Sequence, residues 1–307
     1  MAPVLRLGSR GSPLALAQAA EAKARLAAAH PSLAAAGAIE IVAIRTSGDR
    51  PSERPLAEEG GKGLFTKEIE EALLAGKIDA AVHSLKDMET VLRPGLAIVC
   101  CLPREDPRDA LVAKGARRIA ELAQGAVVGT ASVRRKAQLL HIRPDLAIVP
   151  LRGNVGTRLA KLESGDLAAT ILAAAGLKRL GRFDGVASII PADEMLPAAG
   201  QGIIAIEARA DDRRVLDLIA AIDDDAASTS ARAERALLAA LDGTCRTPIA
   251  ALARLDGDRL VLDAMVIRPD GGAVHCAHRS GAPGDAAAMG ADAGAELRLR
   301  AGPDLVL

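Results

Sequence analysis

The chain has 307 residues, with 39 basic and 39 acidic side chains, so its formal net charge at pH 7 is zero. Half of its residues are hydrophobic, but it contains no Trp, no Tyr and only two Phe residues. A zero net charge argues against a nucleic-acid partner, and the lack of aromatic side chains removes the platforms on which single-stranded bases stack. The sequence shows no signal peptide and no apolar run of about 18 residues, which predicts a cytoplasmic protein with no membrane partner.

The first third of the sequence alternates between strand and helix patterns. Ser12 followed by Pro13 is typical of a helix start, because a serine hydroxyl caps free amides and proline fits the first turn. The polar stretch 47–63 has no periodicity and is long enough to be a lid or a binding loop. The predicted strands are 4–10, 39–46, 78–84 and 95–102, and the predicted helices are 13–29 and 63–76.

The pattern then restarts, and it changes character near the end. Continued alternation of strands and helices predicts parallel sheets covered by helices, whereas the last part predicts a helix, antiparallel strands and a final helix. Turns are expected at Asp256-Gly257 and Asp270-Gly271, and no internal sequence repeat is visible. The predicted strands are 110–114, 126–130, 146–152, 168–174 and 203–209, and the predicted helices are 132–140, 154–165, 227–241 and 285–300.

We therefore expect two α/β domains and a smaller α+β domain. The first domain is expected at 1–102 and 200–222, the second at 103–199 and the third at 223–307.

The four cysteines differ in their surroundings. Cys100 and Cys101 close an apolar run and are expected to be buried small hydrophobic residues. Cys276 lies between two histidines in a strand-like stretch, where neighbouring side chains point to opposite faces, so no metal site is expected. Cys245 lies in a polar loop beside Arg246, where a thiolate would be accessible and stabilised, although a purely structural role is also open.

Residues 104–182 carry fifteen Lys and Arg against seven Asp and Glu, a local excess of eight positive charges. Arg134 and Arg135 fall in the first turn of a predicted helix, and Arg152 ends a strand just before another helix that contains Arg158. Strand ends and helix N-termini form the ligand crevice of α/β sheets, and guanidinium groups bind carboxylates or phosphates there. Arg10 follows a strand in the same way. This placement favours a small polyanionic ligand over a plain solvated face.

Three segments resemble known functional motifs but lack residues or elements that those motifs require. The GGKG at 60–63 lacks the Ser or Thr of a phosphate loop, and the glycines at 200–202 lack the strand and helix of a dinucleotide site. His83, Ser84 and Asp87 are too close in sequence for a hydrolase triad, and His83 on its own could be a core histidine.

Nine sequence blocks together resemble the porphobilinogen deaminases, also called hydroxymethylbilane synthases. The resemblance covers most of the chain to about residue 270 and implies two periplasmic-binding-protein-like α/β domains flanking an active-site cleft, plus a smaller α+β C-terminal domain. The blocks are SRGSPLALAQA (9–19), GGKGLFTKEIE (60–70), AVHSLKDME (81–89), REDPRDA (104–110), GTASVRRKAQL (129–139), LRGNVGTRLAKL (151–162), AGLKRLG (175–181), LPAAGQGIIAIEAR (196–209) and LDGTCRTPIAA (241–251).

The resemblance also implies an activity. Enzymes of this family are transferases of tetrapyrrole and heme biosynthesis, which join four porphobilinogen molecules head to tail into hydroxymethylbilane and release ammonia at each condensation. The reaction is primed by a dipyrromethane cofactor, one per chain, joined by a thioether to the cysteine that matches Cys245, and it ends by hydrolysis. A monomer is expected, and porphobilinogen is the expected small-molecule partner.

Matching the motifs assigns roles to individual residues. Asp87 corresponds to the catalytic aspartate, and the stretch 47–63 corresponds to an active-site lid. Glu89 departs from the pattern, because the family usually has a proline there. The implied cofactor-binding residues are Cys245, Lys86, Ser132, Arg134, Arg135, Arg158 and Gly153, and the implied substrate-binding residues are Arg10, Ser12, Arg152, Arg179 and Phe65.

Two other functions stay open at this point. A non-enzymatic carboxylate-binding module with periplasmic-binding-protein architecture is opposed by the presence of both Asp87 and Cys245. A nucleic-acid-binding protein is favoured by the basic segment and opposed by the net charge and the scarcity of aromatic residues.

Overall fold

The computed structural model describes residues 5–49, 63–243 and 247–302, and the chain divides into two compact units. Of the described residues, the first unit contains 5–49, 63–105 and 203–231, and the second contains 106–202, 232–243 and 247–302. The three-domain division expected from the sequence stays a prediction. Within the described ranges, no helix is long and apolar enough to cross a membrane.

The strands and helices match the sequence pattern closely. The strands are β1 Leu5–Arg10, β2 Ile39–Ile44, β3 Ala80–Ser84, β4 Leu96–Cys101, β5 Asp109–Ala113, β6 Val127–Gly129, β7 Ala147–Val149, β8 Ala169–Ala173, β9 Ser188–Ile189, β10 Ile204–Arg209, β11 Ile249–Asp256, β12 Arg259–Ile267 and β13 Val274–Gly281. The helices are α1 Pro13–Ala29, α2 Lys67–Leu74, α3 Val133–Ile142, α4 Val155–Glu163, α5 Ala174–Arg179, α6 Arg213–Ala220, α7 Asp225–Ala240 and α8 Ala286–Ala301.

The first unit is built on a five-stranded sheet of order β2-β1-β3-β10-β4. Strand β1 runs parallel to β2 and β3, whereas β10 runs antiparallel to β3 and β4. Helix α1 packs on the sheet through Ala19, Ala22 and Leu26, which join the apolar side chains of β1 and β3 in one buried cluster. The carboxyl ends of β1 and β3 therefore lie side by side at one edge of this sheet.

The second unit contains a five-stranded sheet with the corresponding order, β7-β6-β8-β5-β9. Strand β6 runs parallel to β7 and β8, and β5 runs antiparallel to β8 and β9. Each of the two sheets thus contains one reversed strand, β10 or β5, and is mixed where the sequence pattern predicted parallel sheets. The strand–helix alternation cannot show this, because the reversed strand enters the sheet from a distant part of the chain.

The same helix-capping device starts the helix that follows β1 and the one that follows β6. The Ser12 hydroxyl accepts a hydrogen bond from the Ala15 amide at the start of α1, at 3.3 Å, which confirms the predicted cap. The Ser132 hydroxyl accepts one from the Arg135 amide at the start of α3, also at 3.3 Å. Each cap satisfies one amide of the first turn and directs the remaining free amides toward the end of the preceding strand.

A three-stranded antiparallel sheet, β11-β12-β13, completes the second unit and packs against α8. The two predicted turns join its strands, and Gly257 and Gly271 both have positive φ angles. The overall prediction of two α/β sheets and a smaller α+β part is confirmed. The sequence pattern missed the short strand β9 and the helices α5 and α6.

Helix α8 lies unusually close to α7 because it presents glycines there. A Cβ atom on Gly290 would lie 2.1 Å from the Ala233 carbonyl oxygen and 3.0 Å from the Ala236 Cβ atom. A Cβ atom on Gly294 would lie 2.6 Å from the Ala240 Cβ atom. Only glycine permits this backbone approach.

We therefore expect Gly290→Ala to lower the free energy of unfolding by about 1–3 kcal/mol, because the added methyl group must push α8 away from α7. Urea denaturation measures the change. Gly284→Ala is the matched control, since a Cβ atom at Gly284 would have no neighbour within 4 Å. Equal stability of both variants would contradict the packing argument.

Candidate active site

A cavity opens in the first unit where β1 and β3 end. Four of the residues assigned from the sequence line it together, namely Arg10, Ser12, Phe65 and Asp87. Arg10 is the last residue of β1, and Ser12 caps the helix that follows. Asp87 ends a short 3-10 turn, Leu85–Asp87, that directly follows β3. The topology therefore brings residues separated by more than seventy positions into one site.

Arg10 and Phe65 form the aromatic part of this cavity. The Arg10 guanidinium carbon lies 4.2 Å from the centroid of the Phe65 ring, a cation–π contact. This stacking holds the guanidinium group over an apolar face. The cavity wall thus combines a positive charge for an anionic group with a flat surface for a planar ring.

The turn that carries Lys86 and Asp87 is held from both ends. The Leu85 amide donates to the Ile203 carbonyl oxygen at 3.0 Å, and the Met88 amide donates back to the Leu85 carbonyl oxygen at 3.1 Å. The Asp87 side chain is half-buried. Its position is therefore set by the sheet, through the strand pairing of β3 with β10.

Two further polar contacts fix the surroundings of the turn. Gln18 on α1 and Ser84 at the end of β3 are hydrogen-bonded through their side chains, with the amide nitrogen 2.8 Å from the hydroxyl oxygen. Glu89 accepts a hydrogen bond from the Gly63 amide at 2.6 Å. The residue that replaces the expected proline thus gains a contact to the segment leading to Phe65. Most of the stretch 47–63, predicted as a lid, lies outside the described residues.

In the second unit, Arg134 and Arg135 both turn toward Asp109, the first residue of β5. The Arg134 Nη2 atom lies 2.8 Å from Asp109 Oδ2, and Arg135 Nη2 donates to Asp109 Oδ1 at 2.8 Å. Arg134 also donates to the Leu196 carbonyl oxygen and Arg135 to the Ile171 carbonyl oxygen. Each arginine is only 5% exposed, so the two guanidinium groups are fixed parts of the interior.

Gln201 completes this cluster. Its Nε2 atom donates to Asp109 Oδ1 at 2.9 Å and to the Pro107 carbonyl oxygen at 2.7 Å. Burial alone would raise the pKa of Asp109, but the charges of Arg134 and Arg135 and the hydrogen bonds from Arg135 and Gln201 hold it well below its usual range. The Asp109 carboxylate is therefore ionised. Together with Arg134 and Arg135 it forms a cluster with one excess positive charge.

We expect Asp109→Asn to lower the free energy of unfolding at pH 7 by about 3–5 kcal/mol, because two buried guanidinium groups would face each other without a counter-ion. A carboxyl group with a lowered folded-state pKa stabilises the fold above its unfolded pKa of about 4, and the stabilisation is lost as the pH falls. The difference between wild type and variant in urea unfolding should therefore shrink below about pH 4.

The control for this variant is Asp270→Asn. Asp270 forms an exposed ion pair with Arg268, so its loss should change stability little. An Asp109→Asn protein as stable as this control would show that the buried cluster contributes nothing to the fold.

The other predicted residues of the second unit lie around the ends of β6, β7 and β8. Arg152 and Gly153 follow β7, and Gly153 has a φ angle of 109° that favours glycine. Arg158, in the first turns of α4, donates from Nε to the Gly153 carbonyl oxygen at 2.8 Å. Arg179 ends α5 and donates to the Gly202 carbonyl oxygen at 3.1 Å. Arg152 and Arg158 thus follow the carboxyl end of β7, and Arg179 is on the helix that follows β8.

Cys245 lies outside the described residues. Cys100 and Cys101 are buried, as predicted, and burial raises the pKa of the Cys100 thiol. Cys276 is exposed. Among the described residues, no group of three or more His, Cys, Asp or Glu side chains could hold a metal ion.

Sequence comparison decides the family. A family model described as porphobilinogen deaminase, dipyromethane cofactor binding domain, matches residues 5–217, and one described as porphobilinogen deaminase, C-terminal domain, matches residues 228–298. The chain belongs to the porphobilinogen deaminase family. Family membership confirms the predictions of a transferase of tetrapyrrole biosynthesis and of dipyrromethane as the cofactor. The roles assigned to individual residues stay predictions.

Individual relatives agree over nearly the whole chain. Porphobilinogen deaminase from Paracoccus denitrificans is 57% identical over 300 residues, 98% of this chain and 95% of that protein. Chloroplastic porphobilinogen deaminase from Oryza sativa subsp. japonica is 49% identical over 304 residues, 98% of this chain and 85% of that protein. Among solved structures, a periplasmic substrate-binding protein of an ABC transporter from Coxiella burnetii has a TM-score of 0.45 at 16% identity, covering 74% of this chain and 95% of that one.

Sequence reasoning missed three buried polar residues beside the predicted ones. Asp109 and Gln201 fall within recognised blocks, but nothing in the sequence shows that they meet Arg135. Glu207 interrupts an apolar strand, Ile204–Arg209, and is fully buried. An acidic residue inside an apolar strand was the available signal, and it points to a buried ion pair.

Proposed function

We propose that this chain joins four porphobilinogen molecules head to tail into hydroxymethylbilane, releases ammonia at each condensation, and works as a cytoplasmic monomer. The observation that supports this reaction is the cavity of the first unit. It combines a carboxylate, a guanidinium group, a hydroxyl group and a phenyl ring, contributed by Asp87, Arg10, Ser12 and Phe65.

These groups match the chemistry of the substrate. Porphobilinogen is a planar pyrrole that bears an acetate, a propionate and an aminomethyl group. The Arg10 guanidinium binds a substrate carboxylate, and the Ser12 hydroxyl donates a hydrogen bond to it. The Phe65 ring packs against the pyrrole ring, next to the Arg10 guanidinium that it contacts. A substrate held by Arg10, Ser12 and Phe65 in this way directs its pyrrole N–H toward Asp87.

Asp87 stabilises the charge that develops in the reaction. Loss of ammonia leaves a methylene-pyrrolenine cation whose positive charge spreads to the ring nitrogen. A fixed carboxylate beside the pyrrole N–H lowers the energy of that state more than the energy of the bound substrate. The same carboxylate can accept the proton that the attacking ring carbon loses when the new carbon–carbon bond has formed.

The residues of the second unit fit an anionic cofactor. Arg134 and Arg135 supply two positive charges against the single negative charge of Asp109, and the N-termini of α3 and α4 add free amides. When bound, the dipyrromethane supplies the pyrrole carbon to which the first substrate is joined. The residues proposed to hold it are Lys86, Ser132, Arg134, Arg135, Gly153 and Arg158, with Cys245 as the covalent attachment and Arg152 and Arg179 on the substrate side.

The direct test is incubation of the purified protein with porphobilinogen. Ammonia release and product mass are followed together, and the proposal requires four ammonia molecules per hydroxymethylbilane. Binding of porphobilinogen without ammonia release would instead support a non-enzymatic carboxylate-binding module.

A further inference from the structure

A buried pair of ionisable side chains lies behind the cavity. His83 Nε2 is 3.2 Å from Glu207 Oε2, and the two side chains are only 4% and 0% exposed. Among the described residues, neither Glu207 carboxylate oxygen has a hydrogen-bond partner. His83 Nε2 has no hydrogen-bond partner either, so the two side chains meet at ion-pair distance without hydrogen-bond geometry.

The strand register explains why the two side chains meet. In the antiparallel pairing of β3 with β10, His83 is opposite Ala205, and Glu207 is opposite Ala81. His83 and Glu207 are thus diagonal neighbours on the same face of the sheet, within reach of each other. This is the face against which Ile69 and Leu73 of α2 pack.

His83 also forms part of the cavity wall. It lines the same cavity as Asp87, four residues later in the chain, whereas Glu207 is completely enclosed by the sheet. The imidazole therefore stands between the buried carboxylate and the site. A proton on the imidazole would place a positive charge in the cavity wall.

The other charged groups around the pair can be named element by element. Glu70 on α2 is also buried; its burial raises the pKa of this carboxyl group, and the negative charge of Glu207 adds to the effect. Arg93 lies 3.8 Å from Glu70 on its outer side. From the cavity side, Arg10 at the end of β1 and Asp87 in the turn after β3 line the same cavity as His83, and Lys86 precedes Asp87 in that turn.

An isolated buried carboxylate is costly, so Glu207 must either bind a proton or face a cation. We propose that His83 is a positioning residue for Asp87: Glu207 keeps the His83 imidazole charged, and this imidazolium in the cavity wall stabilises the carboxylate form of Asp87. The proposal rests on the proposed function of Asp87. The alternative is that His83 and Glu207 are both uncharged and have only a packing role in the core.

The charge of His83 can be measured without substrate. The chain has five histidines, so the ring signals are few enough to resolve by NMR of labelled protein, and His83→Asn identifies the signal of His83. We expect a charged imidazole at pH 7.5 in the wild type and a neutral one in Glu207→Gln. A neutral His83 in the wild type would overturn the proposal.

The effect on Asp87 is measured as a pH profile of ammonia release. Loss of the nearby positive charge should move the acid limb of the profile to higher pH by about one unit in both Glu207→Gln and His83→Asn. Asp79→Asn is the matched control, since Asp79 is a buried carboxylate paired with Arg6 in the same unit but outside the cavity lining. Its profile should not move.

Thermal melts of the three variants separate structural damage from the proposed role. An unshifted acid limb in a folded Glu207→Gln protein would show that the pair is merely structural. If the wild type released no ammonia at all, the proposed function would fail, while the NMR titration would still report whether Glu207 keeps His83 charged.

Discussion

Replacing Asp87 with Asn should reduce turnover of porphobilinogen about a hundredfold to a thousandfold while the protein stays folded. The side chain keeps its size and its place in the turn after β3, but it loses the negative charge. The developing positive charge on the pyrrole nitrogen then has an amide dipole beside it in place of a carboxylate. Ammonia release in a single turnover measures the loss at the chemical step.

The expected effect lies in the rate constant of the chemical step and not in substrate affinity. Arg10, Ser12 and Phe65 are unchanged in the variant, so the Michaelis constant should change little. Asp217→Asn is the matched control, because Asp217 is an exposed carboxylate on α6 in the same unit. A variant with wild-type ammonia release would remove Asp87 from the mechanism.

The parts of the fold that the sequence predicts well are those set by local chemistry. The Ser12 cap and Pro13 locate the start of α1 because the hydroxyl, the free amides and the proline ring all act within one turn. The turns at Asp256-Gly257 and Asp270-Gly271 are predicted for the same reason, since their positive φ angles need glycine.

The parts that the sequence does not predict depend on contacts between distant residues. The place of Arg134 and Arg135 at a helix start predicts that they bind an anion, but it does not show which residue they contact. Their contact with Asp109 requires β5 to enter the sheet in reverse beside β8. A one-dimensional strand pattern shows where β5 lies and leaves its direction open.

The two large sheets share a strand order although the sequence shows no repeat. Order and direction depend on which positions are apolar and on where turns and caps fall, and many sequences meet those demands. Ser12 and Ser132 illustrate the point, since each caps the helix after an equivalent strand. The same geometry then presents different chemistry, with the Asp87 cavity in the first unit and the arginine cluster in the second.

The zero net charge is the sum of the basic segment 104–182 and a remainder of the chain with an excess of eight negative charges. The excess of eight positive charges in 104–182 already counts Asp109, and it includes Arg134, Arg135 and Arg152, which follow the ends of β6 and β7. Because the positive groups are partly buried and partly bonded, they are suited to a small polyanion in a defined orientation and not to a long phosphate backbone.

Replacing Cys245 with Ser should abolish both the covalent adduct and the activity. Attachment needs a thiolate that forms a thioether, and a serine hydroxyl stays protonated and is far less nucleophilic at neutral pH. Intact mass should show a two-pyrrole adduct on the wild-type protein and an unmodified Cys245→Ser chain. Without the primer, the variant should release no ammonia in steady state.

The described cysteines supply the control for this experiment. Cys100 and Cys101 are buried, so they are protected from alkylation, whereas Cys276 is exposed and free. Cys276→Ser should therefore keep the adduct and full activity, and any adduct that remains on Cys245→Ser would place the attachment elsewhere. An active wild-type protein without an adduct would overturn covalent priming altogether, because chain growth would then begin from free substrate.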